Sequence, residues 1–98
     1  MPKFRREHLA VDETVIDEDG AEHPLKIVEP EDVSFGAESI ACHFADGDAV
    51  LVRRSEVVNL GVNPYRSNLM LVCNDGYSIS LPDDFDDKQI LRWYHRKA

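Results

Sequence analysis

Three Asp-Gly pairs, Asp19-Gly20, Asp46-Gly47 and Asp75-Gly76, divide the chain at near-regular intervals. An Asp-Gly step between alternating apolar runs marks a tight β-hairpin, because the turn needs positive φ angles that glycine adopts without a Cβ clash. Each pair has such flanks. Val11 to Ile16 enters the first and Ala21 to Val28 leaves it; Ser39 to Phe44 and Ala49 to Arg54 bracket the second; Asn68 to Cys73 and Tyr77 to Leu81 bracket the third. The segments between the turns share no side-chain pattern, which argues for three independent hairpins rather than a solenoid. A chain of 98 residues holds one small domain with a thin core. The expectation is a single α+β domain over 1–98: an antiparallel sheet built from three β-hairpins, with a C-terminal amphipathic helix packed on one face.

Alternation assigns the faces. Ile40, Cys42 and Phe44 share one side of a strand, with Ala41 and His43 on the other. Tyr77, Ile79 and Leu81 share a face, with Ser78 and Ser80 opposite. The run 69–73 is apolar on both faces and reads as a central strand, covered above and below or by a partner chain. Pro24 removes a ladder donor and so predicts an edge strand. A short helical turn is expected from Ser55 to Leu60, stopped by Gly61 and Pro64.

The final helix has a legible start. Asp86 fits the N-cap with Gln89 three residues on, and Phe85 and Ile90 are placed as a hydrophobic staple. Ile90, Leu91, Trp93 and Tyr94 fall in one arc, opposite Lys88, Arg92 and Arg96.

The formal charge is −8, from 19 acidic and 11 basic side chains, and it is unevenly spread. Lys3, Arg5 and Arg6 open the chain; residues 7–48 then carry thirteen acids against Lys26 alone. Residues 49–82 are nearly neutral, and the cluster Asp83, Asp84, Asp86, Asp87 is followed by Lys88, Arg92, Arg96 and Lys97. Helix capping and dipole complementation account for the last two groups. The acidic first half would repel nucleic acid at long range, so phosphate binding by the terminal cations is not favoured. No apolar stretch approaches the ~20 residues of a membrane span, and no charged-then-apolar leader opens the chain, so cytoplasmic residence is expected.

No constellation for chemistry emerges. His8, His23, Cys42, His43, Cys73 and His95 form no metal-ligand spacing. A calcium loop with Gly20 at its sixth position would put Val15 and Lys26 at its first and twelfth, and neither can serve. No serine lies in a nucleophile elbow, and Cys42 and Cys73 are expected to be thiols. The acids from Asp83 to Asp87 lack the phosphate loop or base that catalysis would add. The expectation is no catalytic residue, no cofactor and no metal.

The stretch from about Lys26 to Trp93 resembles a small bacterial domain of unknown function, through Phe44-Ala45-Asp46-Gly47, Arg66-Ser67-Asn68-Leu69, and Gly76 followed by Ile79, Pro82 and an acidic helix start. That resemblance implies a compact α+β unit, sometimes fused to a helix-turn-helix and found in toxin–antitoxin-like settings. It implies no catalytic residue, and the acidic first hairpin lies outside it.

The reading that follows is a non-enzymatic protein-binding regulator, inhibitor- or antitoxin-like. Asp12, Glu13, Asp17, Glu18, Asp19 and Glu22 would face a basic, nucleic-acid-handling protein partner. Two alternatives stand beside it. One is a homo-oligomeric structural or accessory domain, a homodimer in its simplest form, paired through strand 69–73 or the aromatic face around Trp93. The other is a ligand-binding domain using the 61–67 loop with Tyr65 and Arg66.

Overall fold

The structure is a computed structural model that describes residues 4–95. Lys3, Arg96 and Lys97 of the two cationic ends lie outside the described residues. Eight strands and one helix follow in order: β1 (Leu9–Ile16), β2 (Glu22–Val28), β3 (Asp32–Phe35), β4 (Ser39–His43), β5 (Ala49–Arg53), β6 (Val57–Val62), β7 (Leu69–Cys73), β8 (Tyr77–Ser80) and α1 (Asp87–His95).

All three Asp-Gly pairs make hairpin turns, joining β1 to β2, β4 to β5 and β7 to β8. Their glycines adopt φ of 82°, 94° and 92°, the left-handed region that required them. In the second and third turns the aspartate carboxylate accepts the backbone N–H two residues on, from Asp48 at 2.9 Å and Tyr77 at 3.1 Å.

The hairpins do not form one antiparallel sheet. The first and third belong to a mixed five-stranded sheet, ordered β1-β2-β8-β7-β6, in which β2 and β8 run parallel. The second hairpin joins β3 in a separate antiparallel sheet, β3-β4-β5. Two strands without a turn signal of their own, β3 and β6, complete the sheets.

Three local expectations need correction for related reasons. Pro24 is not on an edge strand: β2 lies between β1 and β8, but β8 pairs only with Lys26, Ile27 and Val28, so the flank of β2 at Pro24 needs no donor. Only Arg54–Glu56 form a helical turn, of 3-10 type, and Val57 to Leu60 continue as β6 because pairing with β7 satisfies their backbone. Ser78 and Ser80 do lie opposite Ile79, yet they are buried too, since β8 is covered on both faces.

One apolar core links Val28, Leu71 and Ile79 of the large sheet, and Leu81 just beyond β8, with Val33, Ile40, Cys42 and Val52 of the small one, and with Ile90 and Trp93 of α1. The helix closes an end of this core. The Asp86 carboxylate accepts the Lys88 N–H at 3.0 Å, as an N-cap should. Trp93 Nε1 donates to the Gly36 carbonyl at 2.9 Å, and the Trp93 ring stands edge-on to Phe35 at 5.0 Å. The helix is thus fastened to β3 and to the β3–β4 turn.

On the other face of the large sheet, Ile27, Met70, Ser78 and Ser80 are buried as well. The sheet curls there, so that Tyr65, in the loop after outer strand β6, donates a hydrogen bond to Glu13 of outer strand β1 at 2.5 Å. Strand 69–73 is central as expected, flanked by β6 and β8, and Trp93 is buried. Of the helix's apolar arc, Ile90 and Trp93 are buried, while Leu91 is exposed and Tyr94 half-buried.

Candidate functional site

The six carboxylates Asp12, Glu13, Asp17, Glu18, Asp19 and Glu22 all lie on the β1–β2 hairpin and all are exposed. They do not form one surface. Residues along a strand alternate faces, so Asp12 and Glu13 point to opposite sides. Two of the six are engaged within the chain. Glu13 accepts from Tyr65, and that bond holds the phenol proton above its ordinary range. Asp17 takes the His23 ring nitrogen at 2.6 Å and the N–H groups of Asp19 and Ala21 at 2.9 Å. These bonds, the one to His23 foremost, hold its carboxyl below the usual range. Asp12, Glu18, Asp19 and Glu22 make no side-chain hydrogen bond or ion pair among the described residues, and their charge is left to solvent or a partner.

A second feature, only half visible in the sequence, surrounds Arg66. Asn63 is fully buried after β6. Its amide donates to Ser80 Oγ at 3.1 Å, its side-chain oxygen accepts the Tyr65 N–H at 2.9 Å, and its carbonyl accepts the Ser67 N–H at 2.8 Å. Ser67 sits at φ 63°, which turns the chain back into β7. The loop so held presents Arg66 to Glu29 at 2.7 Å and to both oxygens of Asp83 at 3.0 and 3.1 Å, while Asn68 steadies Asp83 at 2.7 Å. The Asn68 amide and the guanidinium hold the Asp83 carboxyl below its usual range, and Glu29 foremost raises the Arg66 guanidinium further. Beside them runs a groove of about 470 Å³, floored by Pro30, Leu81 and Pro82 and rimmed by Glu29, Glu31, Asp83 and Asp84. With Arg66 already clasped, this groove suits a cation better than an anion. The basic character of the 61–67 loop is neutralised inside the molecule by acids distant in sequence.

The third cluster was not visible in the sequence at all. His8, Asp46 and Asp48 bring one ligand atom each within 4.8 Å of one another. His8 is buried, and its ring stacks on Phe44 at 4.0 Å and 7°. Its Nδ1 accepts the Arg5 N–H at 3.2 Å, which leaves the ring proton on Nε2. That nitrogen lies 3.1 Å from Asp48 and 3.6 Å from Asp46, and Arg5 itself pairs with Asp48. Desolvation pushes the Asp48 carboxyl up, but the bonds from Arg5 and His8 outweigh it and the net shift is downward. A ring that donates from Nε2 has no lone pair there for a metal, so the cluster works as a latch between the chain start and the second hairpin. No local spacing announces it, because His8 lies 40 residues from Asp48.

The cysteines are set up for packing rather than attack. No disulfide joins Cys42 and Cys73. Burial, with the neighbouring Cys73 adding to it, pushes the Cys42 thiol up to about 12, far from the thiolate character a nucleophile needs. Among the described residues no helix is long and apolar enough to cross a membrane. Comparison of the chain with known protein families, with curated proteins and with solved structures gives no match.

Proposed function

We propose that the chain is a non-enzymatic protein-binding domain of the small inhibitor or antitoxin kind, whose first hairpin offers carboxylates to a basic, nucleic-acid-handling protein. The observation that supports this reading is the set Asp12, Glu18, Asp19 and Glu22, exposed on the β1–β2 hairpin and making no side-chain hydrogen bond or ion pair among the described residues. Carboxylates on such a ribbon occupy the Lys/Arg surface that phosphates would otherwise fill, and such charge acts mostly on the rate of encounter. Asp17 and Glu13 keep the ribbon in shape and contribute field.

Affinity capture from the native host at rising salt tests the reading. A basic, nucleic-acid-handling protein should co-elute at low salt, be lost at high salt, and fail to bind the D12N/E18Q/D19N/E22Q variant, which spares the turn-forming Asp17. Capture that survives both salt and the variant overturns the electrostatic role of the hairpin.

A further inference from the structure

We propose that Asp19-Gly20 is a covalent modification site, the Asp-Gly step that rearranges to isoaspartate ahead of the other two in the folded protein. The reaction needs no added reagent. The Gly20 amide nitrogen attacks Cγ of the protonated Asp19 carboxyl, the hydroxyl leaves as water with the amide proton, and a five-membered succinimide closes. Water then adds to one of the two ring carbonyls. Opening at the side-chain carbonyl restores aspartate. Opening at the main-chain carbonyl leaves the chain running through Cβ and Cγ, with a free α-carboxylate beside it. Glycine favours the ring because no Cβ crowds its nitrogen. All three steps share that glycine, so it is the fold that ranks them.

The three turns have the same backbone bond. Gly20, Gly47 and Gly76 donate their N–H groups to the carbonyls of Asp17, Phe44 and Cys73, at 3.0, 3.0 and 3.2 Å, and all three glycines have positive φ. They differ in which carboxylate takes the N–H that follows the glycine. In the second and third turns it is the aspartate of the Asp-Gly step itself: Asp46 accepts from Asp48, and Asp75 from Tyr77. In the first turn the equivalent N–H, that of Ala21, goes to Asp17, which stands where the other turns have Phe44 and Cys73. Asp17 accepts the Asp19 N–H as well. Asp19 is thereby relieved of the turn-closing role, and its exposed carboxylate makes no side-chain bond among the described residues. Asp46 and Asp75 must give up a hydrogen bond before they can reach the glycine nitrogen; Asp19 has none to give up.

The surroundings act in the same direction. The glycine nitrogen must also leave its carbonyl, so the turn has to open, and poorly buried turns open most readily. Ile16 before the first turn is 65% exposed, and Asp17 and Ala21 are exposed too. The second turn is held by buried Phe44 and by Asp48, which pairs with Arg5 and His8. The third lies between buried Cys73 and Tyr77. Conversion adds one main-chain carbon between the Asp17 N–H and the Ala21 carbonyl, which bond at 3.0 Å, so the modified hairpin closes less well.

Ageing the full chain at physiological temperature and pH tests the proposal. Digestion and electron-transfer fragmentation, which cleaves the Cα–Cβ bond of isoaspartate, then locate each product. Isoaspartate should form at Asp19 ahead of Asp46 and Asp75 by roughly threefold to tenfold, the factor one side-chain hydrogen bond is worth. In urea, where the turns are gone, the three steps should react at similar rates. Conversion at Asp46 or Asp75 that matches or outruns Asp19 in the native protein overturns the proposal. So does a native chain unchanged at Asp19 while the unfolded chain converts, and so does a lead for Asp19 that persists undiminished in urea.

Discussion

A buried imidazole with both ring nitrogens engaged ties distant segments together at little conformational cost. His8 joins the Arg5 backbone, Asp48 and the Phe44 ring. Replacing it with alanine empties a stacked site and leaves the Arg5 N–H without its acceptor, so His8→Ala should cost roughly 2–4 kcal/mol in urea unfolding. Added zinc should leave the melting temperature unmoved, since the Nε2 proton blocks ligation and Arg5 covers Asp48. The lowered carboxyls of Asp17, Asp48 and Asp83 define the acid limit. A carboxyl depressed by folding contributes stability above its unfolded value near 3.9, and that contribution is lost as pH falls through the folded value. The melting temperature should therefore hold down to about pH 5 and fall below about pH 4. Asp83→Asn, which no longer titrates, should make that fall shallower.

At the scale of elements, turns and caps were legible and pairings were not. Gly20, Gly47 and Gly76 announce themselves because a positive φ is a demand met within four residues. Asp86 is legible for the same reason, its cap closing within two residues. Gly76→Ala should cost about 1–2 kcal/mol, the penalty of a Cβ in the left-handed region, although no atom stands in its way. Asp86→Ala should cost about 1 kcal/mol, read as a lower unfolding midpoint and lower helicity. By contrast, β6 resembles a helical turn when Ser55, Gly61 and Pro64 are read alone, and it is a strand because β7 lies beside it. Nothing near Lys26 states that its strand will run parallel to Tyr77. The same limit explains the groove: Arg66 stood out as a basic residue in a polar loop, while Glu29 and Asp83, which neutralise it, come from two other segments.

For the whole molecule, charge and architecture are distributed along the same lines. Of the carboxylates with no side-chain bond among the described residues, Asp12, Glu18, Asp19 and Glu22 lie on the first hairpin and Glu7, Glu31, Asp32, Glu38, Asp84 and Asp87 lie elsewhere, while the far edge of the same sheet, β6, carries no charged residue. The buried thiols add a check on the integrity of the core: Cys42 and Cys73 should resist a thiol reagent in the native protein and react fully once it unfolds, and fast native labelling would contradict their burial. The hairpin's attachment bears on cooperativity as well. It enters the large sheet through three pairs, Lys26–Tyr77, Ile27–Ser78 and Val28–Ile79, made by the chain's last strand. During synthesis that seam stays open until residue 79 has emerged, so the acidic ribbon precedes its own anchorage. In the finished protein the same narrow seam is where a sub-global opening would part the sheet, and the amide protons of β1 should exchange with solvent sooner than those of β7 and β8.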